Sequence, residues 1–285
     1  MRKSLRVLSA LLCVQLYAMS YVALASAAIA GERIVTLGGA LTEIVYALDE
    51  QVQLVGVDQS SSYPAAALQL PQVGYYRNFS VEGVIGLKPT LILASDQAGP
   101  PESLANLQRM GLRVRVLPSA PTVDALAQRI RGIAEVLDKQ RDGEQLIQRI
   151  RASLIAPQQK MPRTLMLMGR DSRLQGAGYD TAADAMLKLT GAMNVLAAQQ
   201  GYKPIAPEAL AALAPEAIVT TQMTVDSVGG IDKLLGLSGI AMTPAAKQGR
   251  IVVMDDLLLL GFGPRLPEAL AQLRAGLVAP ALTRQ

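Results

Sequence analysis

One pattern occurs twice in this chain and sets most of what the chain can fold into. Each copy is a short helix with an early glutamate, then a proline, then an apolar strand. The glutamate and the proline are Glu82 and Pro89 in the first copy, and Glu208 and Pro215 in the second, seven residues apart in both. Because structural repeats give internal similarity at matched spacing, the pattern predicts two related lobes.

The apolar segments around these copies alternate with helical segments. Strand, helix and strand in succession are typical of a parallel sheet with helices on its faces. We predict four strands in the first lobe and at least three in the second. They lie at 33–37, 54–57, 91–93 and 114–117, and then at 164–168, 217–219 and 251–254. The predicted fold class is α/β, with two Rossmann-like lobes, central parallel sheets and a ligand cleft between the lobes.

The region between the lobes contains no credible strand but two apolar stripes at helical spacing. We therefore predict an N-terminal lobe at 31–138, a single long connecting helix at 139–160 and a C-terminal lobe at 161–285. A long helix is a stiff connector, so we expect the relative motions of the lobes to be small.

Residues 1–30 have the pattern of a secretory signal peptide, with a basic start, an apolar run and a series of small residues. We predict export to the periplasm, with cleavage between 25 and 30. A membrane anchor is the alternative, but Gln15 and Ser20 interrupt the apolar run. The sole cysteine, Cys13, lies inside this segment, so we expect the mature chain to have no disulfide and no thiolate site.

The composition argues against several classes of site. The chain has no histidine, which excludes Ser-His-Asp catalysis and histidine-rich zinc or manganese sites. It has no tryptophan, which argues against the usual stacking surface for sugars. The net charge is +4, and removal of three cations in the signal peptide leaves +1 (4 − 3). A charge so close to zero argues against nucleic acid or an anionic membrane as the partner.

A loop with the sequence V-G-Y-Y-R, residues 73–77, precedes the first copy of the repeated pattern. In proteins with parallel α/β sheets, ligands bind at the loops between strands and helices. Adjacent tyrosines in a loop are, however, usually packing or surface residues. The residues alone therefore leave both interpretations open for Tyr75 and Tyr76.

With these residues in place, the chain resembles the periplasmic haemin-binding proteins of bacterial ABC importers. Those proteins belong to a helical-backbone class that also carries vitamin B12 and siderophores. The shared pieces span essentially the whole predicted mature chain, and their ordered occurrence indicates haem among the ligands of that class. They are G-G-A-L-T-E-I-V-Y-A-L at 38–48, V-G-Y-Y-R at 73–77, E-G-V-I-G-L-K-P-T-L-I-L-A-S at 82–95, T-A-A-D-A at 181–185, G-Y-K-P-I-A-P-E-A-L at 201–210 and G-F-G-P-R-L-P-E-A-L at 261–270.

The resemblance implies a carrier and not an enzyme, with haem as the transported ligand and no free metal ion. The family's axial iron ligand is a tyrosine in a G-Y-x-R motif, which here is Tyr75. Some members add a histidine from the second lobe, which this chain lacks, so the sixth iron ligand is left open. Ferric iron and a phenolate oxygen are a suitable hard pair. A guanidinium helps a phenol to ionise, and in an extended loop Arg77 would leave on the same face as Tyr75, with Tyr76 opposite.

Other residues of the shared motifs are candidates for contacts with the rest of the haem. Its propionates need cations, hydroxyls or N–H groups, and we expect Lys203 and Arg265 to supply them. Solvated surface cations are the alternative for both. Tyr179, Phe262 and Met223 are candidates for apolar contacts with the porphyrin from their positions in loops.

Glu82 and Glu208 have a different expected role. In the family that the chain resembles, one glutamate on each lobe meets basic residues of the two permease subunits. The alternative is that both are ordinary first-turn acids favoured by the helix dipole. The implied partners are an inner-membrane permease dimer with its ATPase and an outer-membrane haem receptor upstream, and the chain itself is expected to be a monomer.

Three other functions remain open from the sequence. The nearest is a siderophore or corrinoid carrier of the same fold. A secreted hydrolase would need a pair of acidic residues, because histidine and a mature cysteine are missing. A haem-degrading enzyme would turn over haem when given a reductant.

Overall fold

A computed structural model describes residues 31–156, 160–170 and 173–278, without the side chain of Arg170. The predicted signal peptide, residues 1–30 with cleavage between 25 and 30, lies outside the described residues. Among the described residues, no helix is both long enough and apolar enough to span a bilayer.

The first lobe is built on a sheet of four parallel strands, which are the four predicted from the sequence. They are β1 (Ile34–Leu37), β2 (Leu54–Val57), β5 (Leu91–Ser95) and β6 (Arg113–Leu117), in the order β2-β1-β5-β6. Every residue of the two central strands is buried, as expected for a parallel sheet covered on both faces. Because parallel strands end at one edge of a sheet, the loops that follow them gather at that edge.

Three helices and a short hairpin complete this lobe. The helices are α1 (Gly39–Ala47), α2 (Val81–Gly86) and α3 (Pro101–Arg109), and the hairpin strands are β3 (Gly74–Tyr75) and β4 (Asn78–Phe79). The Ser80 side chain caps α2 by accepting a hydrogen bond from the Gly83 N–H. The hairpin is therefore followed at once by the helix that carries Glu82.

Two packed helices of 14 residues lie between the two sheets, α4 (Val123–Val136) on the side of the first lobe and α5 (Gln140–Ser153) after it. The first packs on β6 and α1, whereas α5 packs on α4 and on α12 (Leu266–Val278) of the second lobe. Their contact is close, because a side chain at Gly143 would come 2.7 Å from the Ala134 Cβ. The connection is thus a single helix about 21 Å long, shorter than residues 139–160. The lobe limits at 138 and 161 remain predictions.

The second lobe has a mixed sheet of six strands among the described residues. The strands are β7 (Arg163–Arg170), β8 (Arg173–Ala177), β9 (Met193–Asn194), β10 (Tyr202–Pro204), β11 (Ala217–Thr221) and β12 (Ile251–Met254). Their order in the sheet is β10-β8-β7-β11-β12, and β9 also pairs with β7. The three predicted strands are parallel to one another, but β8 runs antiparallel to both β7 and β10. The predicted central strands are therefore confirmed as parallel, and the antiparallel β8–β10 edge is an addition that the sequence analysis did not predict.

The remaining helices described in the second lobe surround this sheet. They are α6 (Ala182–Thr190), α7 (Pro207–Leu213), α8 (Gln222–Ser227), α9 (Ile231–Gly236), α10 (Pro244–Lys247) and α11 (Asp256–Leu260). Helix α6 begins at the Thr181 cap and ends at Gly191, which has a left-handed backbone. Helix α7 carries Glu208 in its first turn.

One apolar core extends through both lobes. It includes Ile44 of α1, Ile133 of α4, Ile147 of α5, Met186 of α6 and Leu270 of α12, all buried. Two smaller cores, one in each lobe, complete the interior. Because the main core is continuous across the connecting helices, pulling the lobes apart would expose buried apolar surface, which costs free energy. This continuity favours small motions of the lobes.

Candidate functional site

Tyr75 lies on the β3–β4 hairpin, and backbone hydrogen bonds hold this hairpin in place. Gly74 has φ 95°, a conformation that favours glycine, and its carbonyl accepts from the Gln59 N–H at 2.9 Å. Phe79 buries its ring in the first-lobe core and fixes the other strand. The Tyr75 side chain is 44% exposed, so a rigid backbone presents a phenol to solvent.

Tyr76 and Arg77 form the turn of this hairpin and contact each other. The Arg77 Nε donates to the Tyr76 hydroxyl at 2.9 Å, and its guanidinium also donates to the Gln97 side chain. The rings of Tyr75 and Tyr76 meet edge to face with centroids 4.7 Å apart. The expectation that Arg77 shares a face with Tyr75 while Tyr76 points away is wrong, because alternation applies to an extended strand and these residues form a turn.

The two tyrosines differ in their surroundings. Burial raises the pKa of Tyr76 to about 12, with the neighbouring Tyr75 adding to the rise and Arg77 opposing it. Tyr76 therefore remains a neutral phenol at neutral pH. Its hydroxyl already accepts from Arg77, which leaves Tyr75 as the better candidate for an anionic ligand in this hairpin.

Two further tyrosines form a ledge on the second lobe. Tyr179 and Tyr202 are 40% and 37% exposed, and backbone bonds between their loops join them, including Tyr179 N–H to the Gln199 carbonyl at 2.7 Å. Burial raises the pKa of Tyr202, whereas the Ala183 N–H, the Thr181 hydroxyl and the charge of Arg77 oppose this rise. The Tyr202 phenol therefore lies against the start of α6.

The structure brings some predicted residues to this ledge and leaves others nearby without a resolved role. Tyr179 is part of the ledge, and Lys203 lies beside it, exposed on the antiparallel strand β10 opposite Gly176. Tyr202 was missed by sequence reasoning, although it stands next to Lys203 in the same G-Y-K-P motif. Met223 is half exposed at the start of α8, and its backbone N–H donates to Asp256 at 3.0 Å.

The G-F-G-P-R loop, in contrast, is used for packing between the lobes. Phe262, which we expected to contact a porphyrin, is 2% exposed and belongs to the main core. Arg265 forms an ion pair with Glu43 of α1, with Nη2 and Oε1 2.5 Å apart, and lies 3.6 Å over the Tyr63 ring. Arg265, one of the two expected propionate ligands, is thus paired in this structure with the buried Glu43 carboxylate.

The burial of Glu43 makes its ion pair with Arg265 important for the fold. Burial raises the pKa of Glu43, and Arg265 opposes this rise through its hydrogen bond and its positive charge. An uncompensated charge at such a site would be costly. The approach is close, because a side chain at Gly263 would come 2.8 Å from Glu43 Oε2.

A second arginine crosses between the lobes in the opposite direction. Arg129 of α4 is buried and donates to the carbonyls of Pro118 at 2.8 Å and Phe262 at 2.5 Å. Burial lowers its pKa to about 10, against the opposing charge of Asp96, so Arg129 stays charged at neutral pH. We call Glu43, Tyr63, Arg129, Phe262 and Arg265 the interlobe clasp. It holds the two lobes at the base of the cleft.

Glu82 and Glu208 occupy matching positions on the outside of the lobes. Each lies exposed in the first turn of its helix, α2 and α7. Both positions are favourable for an acid next to the helix N-terminus, so the geometry is compatible with either expected role. Among the described residues, no group of three or more histidine, cysteine, aspartate and glutamate side chains could hold a metal ion.

Two α/β lobes joined by one connecting helix, with a cleft between them, define a two-lobed substrate-binding protein of the helical-backbone class. The chain belongs to the periplasmic binding protein family, whose sequence model matches residues 34–258. It is 30% identical over 252 residues to an uncharacterized ABC transporter substrate-binding lipoprotein, YvrC, of Bacillus subtilis, covering 85% of this chain and 78% of that protein.

Two further similarities concern proteins with known ligands. The periplasmic haem-binding protein RhuT of Roseiflexus sp. RS-1, solved in its apo form, superimposes with a TM-score of 0.82 at 37% identity, covering 87% of this chain and 98% of that one. A vitamin B12-binding protein of Vibrio cholerae is 35% identical over 103 residues, which is 36% of this chain and 37% of that protein. The present chain thus spans little more than a third of that relative.

Proposed function

We propose that this protein is a periplasmic carrier that binds ferric haem in the cleft between its lobes and delivers it to an inner-membrane ABC permease. The single observation that carries the proposal is Tyr75, a phenol 44% exposed on a hairpin whose backbone is held on both strands. A fixed oxygen donor directed at a cleft is suited to a ligand that brings its own hard cation.

The chemistry of the hairpin supports Tyr75 as the iron ligand. A phenol ionises near pH 10 in water, so at neutral pH the ferric ion must displace the proton. The Arg77 guanidinium lies in the turn that follows Tyr75, and a positive charge in this hairpin favours an ionised phenol over a neutral one. Tyr76 holds Arg77 through its hydroxyl and stays protonated. Tyr75 therefore binds the metal, and Arg77 and Tyr76 support it.

The rest of the haem is assigned to the second-lobe ledge. Tyr179 and Tyr202 offer aromatic faces for the porphyrin, and Lys203 beside them offers a cation for a propionate. Arg265 is excluded from this set by its ion pair with Glu43. Phe262 is excluded by its burial in the core.

A carrier of vitamin B12 is the competing proposal. The similarity to the haem-binding structure spans 87% of the chain, whereas that to the vitamin B12-binding protein spans 36%. An exposed tyrosine phenol is also a natural ligand for ferric iron and has no evident use for the cobalt of a corrinoid that brings its own axial ligands. Both considerations favour haem.

An absorption titration of the protein from residue 31 onward tests the proposal. Ferric haemin should give a Soret band, together with the charge-transfer band of a phenolate bound to ferric haem, and cyanocobalamin should give no binding. Tight binding of cyanocobalamin with no haemin spectrum would establish the competing function. Conversion of bound haem to an open-chain product on addition of reductant would show an enzyme and not a carrier.

Delivery is assigned to the two exposed glutamates. Glu82 and Glu208 lie at matching places on the two lobes, so a permease with two-fold symmetry could bind both through basic residues. We propose that the permease dimer, with its ATPase, is the partner of a monomeric carrier. An outer-membrane haem receptor would act upstream.

A further inference from the structure

Asp58 lies at the end of β2, beneath the hairpin that carries Tyr75, and is fully buried. Its two oxygens accept four hydrogen bonds. Oδ1 accepts from the Gly38 N–H at 2.9 Å and from the Ser61 hydroxyl at 3.1 Å. Oδ2 accepts from the Ser60 N–H at 2.9 Å and from the Tyr76 N–H at 3.2 Å.

These four donors come from three separate segments of the chain. Gly38 follows β1, Ser60 and Ser61 belong to the loop after β2, and Tyr76 is in the turn of the hairpin. An ionised carboxylate is a pure acceptor with about four lone-pair positions, so it can satisfy all four donors at once. Asp58 thus joins the hairpin to the ends of two sheet strands.

The side of Asp58 that faces the core is fixed as well. Ser61 shares a hydrogen bond of 2.7 Å with Thr42, which shares another of 2.7 Å with Thr36, and all three hydroxyls are buried. Buried polar networks that are fully satisfied rigidify their surroundings. The carboxylate therefore has little freedom to move with the hairpin, and the hairpin must follow the carboxylate.

The peptide group that Asp58 holds is the one between Tyr75 and Tyr76. On either side of it, the Gly74 carbonyl accepts from the Gln59 N–H at 2.9 Å and the Tyr76 carbonyl accepts from the Gly99 N–H at 3.0 Å. Only the bond to Asp58 acts on the N–H that directly follows Tyr75. We infer that Asp58 is a positioning residue that sets where the Tyr75 oxygen meets the iron. This inference rests on the proposed function.

Asp58→Asn provides the test. An amide keeps the size of the side chain but turns one acceptor into a donor, which must then face two N–H or O–H donors. If the remaining oxygen stays with Gly38 and Ser61, the amide nitrogen meets the Ser60 and Tyr76 N–H groups and the hairpin loosens. Loss of an outer-shell partner of a metal ligand typically weakens binding about 10- to 100-fold. We expect a loss of that size for ferric haem, with a shifted and broadened phenolate charge-transfer band.

The second lobe offers a matched control. Asp184 is also buried, and it accepts from the Asn194 side chain at 2.8 Å and pairs with Lys188 at 2.6 Å, away from the hairpin. Asp184→Asn should destabilise the fold but leave the band of the haem complex where it is. A band and an affinity equal to wild type in Asp58→Asn would overturn the inference.

Two further measurements keep the test decisive. If Asp58→Asn does not fold, hydrogen exchange of the Tyr76 amide in the wild-type protein decides the question. Strong protection without haem supports the inference, and exchange as fast as in an open loop overturns it. The proposed function is tested separately by Tyr75→Phe. If wild-type protein shows no phenolate band, the proposed function fails, whatever the amide of Tyr76 shows.

Discussion

The two lobes each place a Gly-Tyr pair just before their copy of the repeated helix, and they use the two tyrosines differently. Gly74-Tyr75 precedes Glu82, and Gly201-Tyr202 precedes Glu208. Both glycines have positive φ, 95° and 72°. The Tyr75 phenol projects from a hairpin toward solvent, whereas the Tyr202 phenol lies against the N-terminus of α6, near Ala183 and Thr181. Similar local sequence thus gives one tyrosine presented on an exposed hairpin and one held against the start of a helix.

This difference separates what the lobes share from what each contributes alone. The shared parts, an exposed glutamate on a short helix and the buried strand after it, suit a partner that meets both lobes alike. The unshared parts are the β3–β4 hairpin of the first lobe and the antiparallel β8–β10 edge of the second. Under the proposed function, the repeated elements would serve docking, and the elements particular to each lobe would serve ligand binding.

The largest expected effect comes from replacing Tyr75 by phenylalanine, compared with the same replacement of Tyr202. Tyr75→Phe removes the iron ligand, so haem affinity should fall by more than about 100-fold, because even outer-shell partners cost about 10- to 100-fold. Tyr202→Phe should keep the phenolate charge-transfer band and lose far less affinity. Absorption titration with ferric haemin measures both. The asymmetry between the lobes would be refuted if Tyr202→Phe abolished the band while Tyr75→Phe preserved it.

The paired glutamates should behave in the opposite, symmetric way. Reversing Glu82 and Glu208 together to lysine should leave the haem spectrum intact, since neither residue is in the cleft, but abolish haem uptake and stimulation of the transporter's ATPase. Each single reversal should cause a comparable partial loss. Transport by the double variant at the wild-type rate would eliminate the docking role, and a loss confined to one lobe would eliminate the symmetric version of it.

Sequence reasoning recovers the features that depend on local pattern. The four strands of the first sheet, the Tyr75 loop and the two first-turn glutamates all follow from residues close together in the chain. The contacts of Arg265 do not, because its partner Glu43 is 222 residues away. Nor does strand β8, because its sequence R-L-Q-G-A has no apolar run, and its hydrogen bonds come from its neighbours β7 and β10. The Tyr76-Arg77 turn also gives no signal, because neither residue is a typical turn former.

The interlobe clasp offers a third test, which is how much the ion pair between the lobes contributes to the stability of the protein. Glu43→Ala leaves the largely buried Arg265 unpaired and should cost about 3 kcal/mol, or roughly 6–12 °C in the melting temperature. The exposed pair Arg131–Glu144 is the control, and Glu144→Ala should lower the melting temperature far less, because solvent screens an exposed ion pair. Thermal unfolding followed by circular dichroism measures both. Equal losses would show that the clasp contributes no more than a surface ion pair.

The clasp also has an expected pH dependence. Because burial raises the pKa of Glu43 in the folded state, the folded protein binds this proton more tightly than the unfolded chain does. Protonation of Glu43 therefore stabilises the folded protein. This stabilisation is fully present below the pKa of glutamate in the unfolded chain, and it is lost as the pH rises through the raised pKa of the folded state. Glu43→Ala should lack this component when its melting temperature is followed across the acidic range.

The smallest effect is expected at Tyr76, the neighbour that shares the hairpin with the ligand. Its hydroxyl holds Arg77 by one hydrogen bond of 2.9 Å, so Tyr76→Phe removes about 0.5–1.5 kcal/mol and should weaken haem binding less than about tenfold. The charge-transfer band should persist. In an ultraviolet titration of the protein without haem, the wild type should show a phenol ionising near pH 12 that is absent from Tyr76→Phe. Since this pKa lies above the unfolded value of about 10, its contribution to stability is present below pH 10 and disappears as the pH rises through 12. Loss of the band in Tyr76→Phe, together with its retention in Tyr75→Phe, would show that the iron ligand is Tyr76 and not Tyr75. The contrast between Tyr75 and Tyr202 would then no longer explain how the two lobes differ.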